Sequence, residues 1–141
     1  MGPTVVKQQV VAERLGHLQG YLKILKQLRR YPLKQFLREP VLRGAAERYL
    51  HLAIECCLDL GNHAIADQGL RRAQDYKDVF LVLGEAKILP PAFAKRLAPM
   101  AGLRSILVHD YLRVDPTKIH AFLKTHLSDF ERFAKAFQKY L

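Results

Sequence analysis

Apolar residues recur along this chain at spacings of three and four, and few stretches break that rhythm. Val11, Leu15, Leu18, Leu22 and Leu25 advance by four and three, which is one stripe of an amphipathic helix. Arg29 and Arg30 fall in its last turn, where cations suit the helix dipole. Tyr31-Pro32 then ends it, because the residue before a proline avoids the helical region. Pro32 to Leu37 allows a short helical turn, and Pro40 opens a second long helix that runs to about Ala66. Leu42, Ala45, Tyr49, Leu52, Cys56 and Leu60 are its expected core face. Beside them Arg48, His51, Glu55, Asp59 and Asn62 make a polar stripe at helical spacing. Such a stripe reads either as a solvated face with local pairs, Arg48 or His51 with Glu55, or as the lining of a groove or subunit contact.

A polar connection from Asp67 to Asp75 follows, and Asp75 caps a helix that buries Val79, Phe80 and Leu83. Gly84 weakens the end of that helix, and Pro90-Pro91 sets a boundary. The next helix carries Phe93, Leu97, Leu103 and Leu107, with a kink or fresh start expected at Pro99. Asp115-Pro116 is a start signal for a last helix with the stripe Ile119, Phe122, Leu123, Leu127, Phe130, Phe133, Ala134 and Phe137. No β alternation, repeat or low-complexity segment competes. The expectation is an all-α, single-domain antiparallel helical bundle of four to five main helices over residues 1–141.

Composition adds a core and a charge. Half of the chain is hydrophobic, enough to bury a core. No apolar run approaches the ~20 residues of a membrane span, so a soluble, cytoplasmic protein is expected. Lys7, Gln8, Gln9 and Glu13 interrupt the N-terminal region, which does not read as a signal peptide. The two cysteines, Cys56 and Cys57, are adjacent and point apart on a helix; they read as small core residues in a reducing compartment. Lys and Arg number 23 against 13 acids, a formal net charge of +10 that makes a polyanion a plausible partner without identifying it.

His17, His51, His63, His120 and His126 lack the ligand spacing of a metal site, and none is expected. There is no Gly-rich phosphate loop and no nucleophile elbow. The segment Met100 to Val114 differs. Leu103, Ile106 and Leu107 form its expected core arc, while Arg104 and His109 lie about 140° apart on an ideal helix and bracket the opposite arc. Ser105 and Val108 fall between them, and Tyr111 is in line with Arg104. Val108 on that face points to a partner surface. An imidazole that moves a proton near neutral pH and a guanidinium that binds a phosphate are what RNA cleavage by its own 2′-hydroxyl requires, without a metal. Spacing alone leaves open that this is only the polar side of an amphipathic helix.

The run Met-Ala-Gly-Leu-Arg104-Ser-Ile-Leu-Val-His109-Asp-Tyr111 resembles the signature of the HepT-like proteins, a branch of the HEPN superfamily, whose motif is Arg, four residues, His, any residue, Tyr. Arg48 to His63 is similar to that family's long acidic helix, and Asp75-Tyr76-Lys-Asp-Val-Phe80 to its next helix start. The resemblance implies a homodimer in which two Arg-His motifs face a shared cleft. It also implies the ribonuclease toxin of a type II or VII-like toxin–antitoxin pair. Arg104 becomes the phosphate and transition-state residue and His109 the proton-transfer residue. Tyr111 becomes the site at which a minimal nucleotidyltransferase antitoxin, using ATP and Mg, transfers AMP; cleavage itself needs no cofactor. Glu55 and Asp59 are candidates to orient Arg104 or a dimer neighbour across the bundle. The family usually has Asn where this chain has Ser105, which offers a hydroxyl but no amide. The alternative is a non-catalytic helical subunit that binds a nucleotide or the nucleotidyltransferase partner; a bundle that keeps the fold without catalysis is a third reading.

Overall fold

The computed structural model describes residues 2–139. Met1, Tyr140 and Leu141, included in the expected domain span, and the side chain of Lys7, used in reading the N-terminus, lie outside the described residues. The described residues are all-helical. In chain order they form α1 (Gly2–Leu28), α2 (Leu33–Arg38), α3 (Pro40–Asp67), α4 (Tyr76–Glu85), α5 (Pro91–Leu97), α6 (Pro99–His109), a 3-10 turn (Tyr111–Arg113), α7 (Pro116–Thr125) and α8 (Leu127–Gln138). Counted as broken units, α5–α6 and α7–α8 join α1, α3 and α4 as five main helices, with α2 as a short connector. No helix among the described residues is long and apolar enough to cross a membrane.

Most boundaries follow from local chemistry. Pro40, Pro91, Pro99 and Pro116 each sit in a first turn, where a missing N–H costs nothing. The Asp75 carboxylate accepts the Asp78 N–H at 2.8 Å and that of Asp115 accepts the Thr117 N–H at 2.9 Å, each capping the helix that follows. Pro99 gives a fresh start rather than a kink.

Two expectations need correction. The last apolar stripe is two helices, not one, because the chain turns at His126 (φ −119°, ψ −2°). There the buried Asp129 carboxylate takes Arg96 Nε at 2.9 Å and His126 Nδ1 at 3.0 Å. A buried carboxylate needs such partners, and meeting them fixes the bend. The core face of α3 is also rotated from the expected one. Leu42, Ala45 and Tyr49 are only half-buried and pack at its margin, while Leu50, Ala53, Ile54, Cys57, Leu58 and Leu60 are the fully covered positions. The helix is central: it packs against α1, α2, α4, α6, α7 and α8, so neighbours enclose most of its circumference.

The core runs from Leu18 and Leu25 on α1 through Ile54 and Leu58 to Phe80, Phe130 and Phe133, with the Phe80 and Phe133 rings edge-to-face at 6.1 Å. His120 is buried, its Nε2 hydrogen-bonded to the Tyr31 carbonyl at 2.8 Å. Cys56 and Cys57 are buried free thiols. Burial, aided by nearby Asp59, pushes Cys56 up to about 11. The crossing of α3 and α4 is tight at Gly61, where an added Cβ would lie 2.6 Å from Val79 Cγ1. Gly84 serves similarly between α4 and α5, since a Cβ there would lie 2.7 Å from the Ala94 Cβ. That glycine is a packing requirement and not merely a weak helix end.

Candidate functional site

Three helices build one side of the site. α6 lies against α3 and α4, and the inward positions of α6 are Met100, Leu103, Arg104 and Leu107. Arg104 therefore stands on the covered stripe, with its side chain 13% exposed, and not on the outward face that the helical wheel suggested. Ile106, expected to face the core, is 39% exposed. The wheel failed because α6 is packed on two sides, so its covered arc is wider and shifted toward Arg104.

Arg104 is held from two directions. Its Nε donates to Glu55 Oε1 at 2.5 Å, across from the middle of α3. Its guanidinium carbon lies 4.3 Å from the centroid of the Tyr76 ring, at the first residue of α4. A charge-assisted hydrogen bond and a cation–π contact together fix the plane of the guanidinium. The bond to Glu55 uses Nε and not the terminal amino groups, the pair that forms a fork on a phosphate. His51, one turn before Glu55, reaches the same carboxylate oxygen at 3.6 Å. The Asp75 cap and the Gly61 crossing set where Tyr76 stands, since α4 begins there and approaches α3 three residues later.

The other side of the site is open. His109 is the last residue of α6 and is exposed. Asp110 leaves the helix at φ −143°, ψ 46°, and Tyr111–Arg113 form the 3-10 turn. Tyr111 is thus off the helix on which the wheel placed it in line with Arg104, and it is 67% exposed. Leu112 beside it is 86% exposed, and Ser105 is exposed as well, while Val108 is half-buried. Asp59 does not reach Arg104; its carboxylate lies 3.4 Å from Arg14 Nε on α1. Arg48 is exposed, and the polar stripe of α3 divides, with Glu55 and His51 turned to the site and Asp59 to α1. Periodicity and charge do not mark Tyr76 as a functional residue. Its signal was an aromatic side chain directly after a capping aspartate, which puts a ring at an exposed helix start.

Behind Tyr76 the connection from α3 to α4 is rigid. Arg71 donates to Asp78 at 2.8 and 2.9 Å and to Glu85 at 2.9 and 2.6 Å. The Asp78 carboxyl, paired with Arg71 and accepting the Gln74 N–H, is held down at about 2. Gly69 takes φ +61°, and the Leu70 N–H returns to the Ile65 carbonyl at 3.0 Å, closing the end of α3.

Comparison with known proteins gives the arrangement a context. A family model described as Ribonuclease HepT-like matches residues 18–137. The tRNA nuclease HepT of Aphanizomenon flos-aquae is 27% identical over 138 residues, 98% of this chain and 94% of that protein. The mRNA nuclease HepT of Shewanella oneidensis is 31% identical over 99 residues, 70% of this chain and 74% of that protein. A solved structure of the tri-AMPylated Shewanella oneidensis HEPN toxin in complex with MNT antitoxin superposes with a TM-score of 0.84 at 25% identity, covering 92% of this chain and 97% of the other.

Proposed function

The chain belongs to the HepT-like ribonuclease family, and on that premise we propose that it is an RNA-cleaving toxin, neutralised by a nucleotidyltransferase antitoxin. The observation that carries this reading is the fixed guanidinium of Arg104, held by Glu55 under Tyr76, on the same short helix that ends in the exposed His109.

In the proposed reaction the RNA 2′-oxygen attacks the adjacent phosphorus. The O2′–P bond forms, the P–O5′ bond breaks, and the products are a 2′,3′-cyclic phosphate and a 5′-hydroxyl. Arg104 offers its terminal amino groups to the phosphate oxygens, whose charge builds up in the transition state. His109 accepts the 2′-hydroxyl proton; exposed at a helix end, its ring can turn toward a bound strand. In a homodimer with a shared cleft the second copy's His109 protonates the leaving 5′-oxygen. Charge and proton transfer both come from side chains, so the chemistry calls for no metal or other cofactor. Ser105, exposed one residue after Arg104, hydrogen-bonds the strand through its hydroxyl in this reading.

Tyr111 is the modification site in this reading. Its exposed ring on a 3-10 turn is accessible to the active site of a nucleotidyltransferase carrying ATP and Mg. An AMP on Tyr111 would add negative charge two residues from His109 and obstruct the approach of RNA. The reading places the protein in the cytoplasm, with RNA, the antitoxin and a second copy of itself as partners.

The test is direct. Purified protein is expected to cleave single-stranded RNA in EDTA, and Arg104→Ala and His109→Ala to lose that activity. Cleavage that persists in both variants overturns the site. After co-expression with the nucleotidyltransferase, intact mass is expected to rise in AMP-sized steps that Tyr111→Phe removes. A wild-type protein that binds nucleotide but cleaves no RNA identifies a binding subunit instead.

A further inference from the structure

Beyond Tyr76 the face of α3 that carries Glu55 continues into an open cavity of about 750 Å³. Asn62, two helical turns after Glu55, stands on one wall, and the Gly69–Asp75 connection forms the other. The floor is apolar, with Ile65 and Val79 buried and Leu70 and Ala73 half-buried. The exposed rim is polar and carries Asn62, Arg72 and Gln74. Tyr76 belongs to both places, since its ring packs on the Arg104 guanidinium and the residue also lines the cavity.

We infer that this cavity is a nucleobase subsite, which takes one base of the single-stranded RNA whose phosphate is held at Arg104. This rests on the ribonuclease reading above and deepens it.

The size suits the task, since the cavity falls within the ~300 to ~1,000 Å³ of small-molecule sites and leaves room for a base with its ribose. The chemistry suits it as well. An unpaired base needs an apolar or aromatic surface for its faces and donors and acceptors for its edge. Ile65, Leu70, Val79 and the Tyr76 ring supply the first, and the Asn62 and Gln74 side-chain amides supply the second, each with both a donor and an acceptor. Arg72 at the rim meets the phosphate on the far side of the base. Because one residue borders both the guanidinium and the cavity, a single nucleotide spans the two.

The wall is also built in advance. Arg71 ties the connection to Asp78 and Glu85 on α4, the Gln74 N–H donates to Asp78 at 2.9 Å, and Asp75 caps the same helix. This clamp takes no part in the proposed chemistry. Its effect is to hold the outer wall of the cavity in place before any ligand arrives, which lowers the cost of binding.

Ala66 lines the cavity and is exposed, so Ala66→Trp fills it without disturbing the core. The experiment uses fluorescein-labelled single-stranded RNA decamers, one intact and a set each lacking one base, bound to His109→Ala protein and followed by anisotropy. Removal of one particular base is expected to weaken binding roughly tenfold, the scale of a lost base–aromatic stack. In His109→Ala/Ala66→Trp the intact and abasic decamers are expected to bind alike, and Asn62→Ala to reduce the difference. Equal dependence on bases in all three proteins, with folding confirmed by circular dichroism, overturns the subsite. The parent reading fails separately. If base-dependent binding needs the cavity but wild-type protein cleaves no RNA, the ribonuclease assignment falls and the subsite stands.

Discussion

Arg104 and His109 lie on one helix five residues apart, yet the structure treats them in opposite ways. Arg104 is held by a carboxylate from α3 at 2.5 Å and a ring from α4 at 4.3 Å, with a glycine crossing that lets those helices approach. Around His109 and Tyr111 the helix has ended and the side chains meet solvent. The difference separates two tasks. A group that stabilises charge in a transition state gains from being oriented before the substrate arrives, because no reorganisation is then needed. A group that must move a proton, or be modified by another protein, gains from access.

That contrast can be broken most sharply at Glu55. Glu55→Ala removes the acceptor of a charge-assisted hydrogen bond worth ~1.5–3 kcal/mol, and RNA cleavage is expected to fall by about ten- to a hundredfold. Gln at the same position keeps an acceptor and is expected to recover part of the loss. Single-turnover cleavage rates check both; a rate unchanged in Glu55→Ala shows that Arg104 needs no such anchor. A more general perturbation is Gly61→Ala, which places a methyl group against Val79 and pushes α4 off α3. Overpacking of this kind costs ~1–3 kcal/mol, so the melting temperature is expected to drop, and cleavage to drop with it as Tyr76 leaves Arg104. At the open end the smallest effect is expected. Leu112→Ser removes an 86% exposed side chain and is expected to leave stability within ~0.5 kcal/mol of wild type by denaturant melts.

Features coded by neighbouring residues were readable in the sequence. Asp75 and Asp115 cap the helices expected of them, Pro99 restarts the chain, and α3 begins at Pro40 and ends within a residue of the expected place. Features set by distant residues were not. The turn at His126 carries no glycine or proline, and depends on Arg96 reaching Asp129 from 33 residues away. The direction of Arg104 depends on α6 packing against both α3 and α4, which a single-helix wheel does not contain. The Arg71 clamp likewise joins residues 7 and 14 positions apart across a connection that read only as polar. Glu55 was named for its place on an acidic stripe, and Asp59 from the same stripe went to α1. Periodicity locates a face of a helix; it does not say which neighbour meets that face.

The paired cysteines of α3 have a practical consequence for anyone handling the protein. Both thiols are buried, and with Cys56 raised to about 11 only a minute fraction ionises at neutral pH. Maleimides and similar reagents attack the thiolate, so the native chain is close to inert toward them. A cysteine introduced at the exposed Ser105 would then be the one residue to take a dye or spin label. The molecule thus comes with a clean background for a reporter placed directly beside Arg104, without any cysteine having to be removed first.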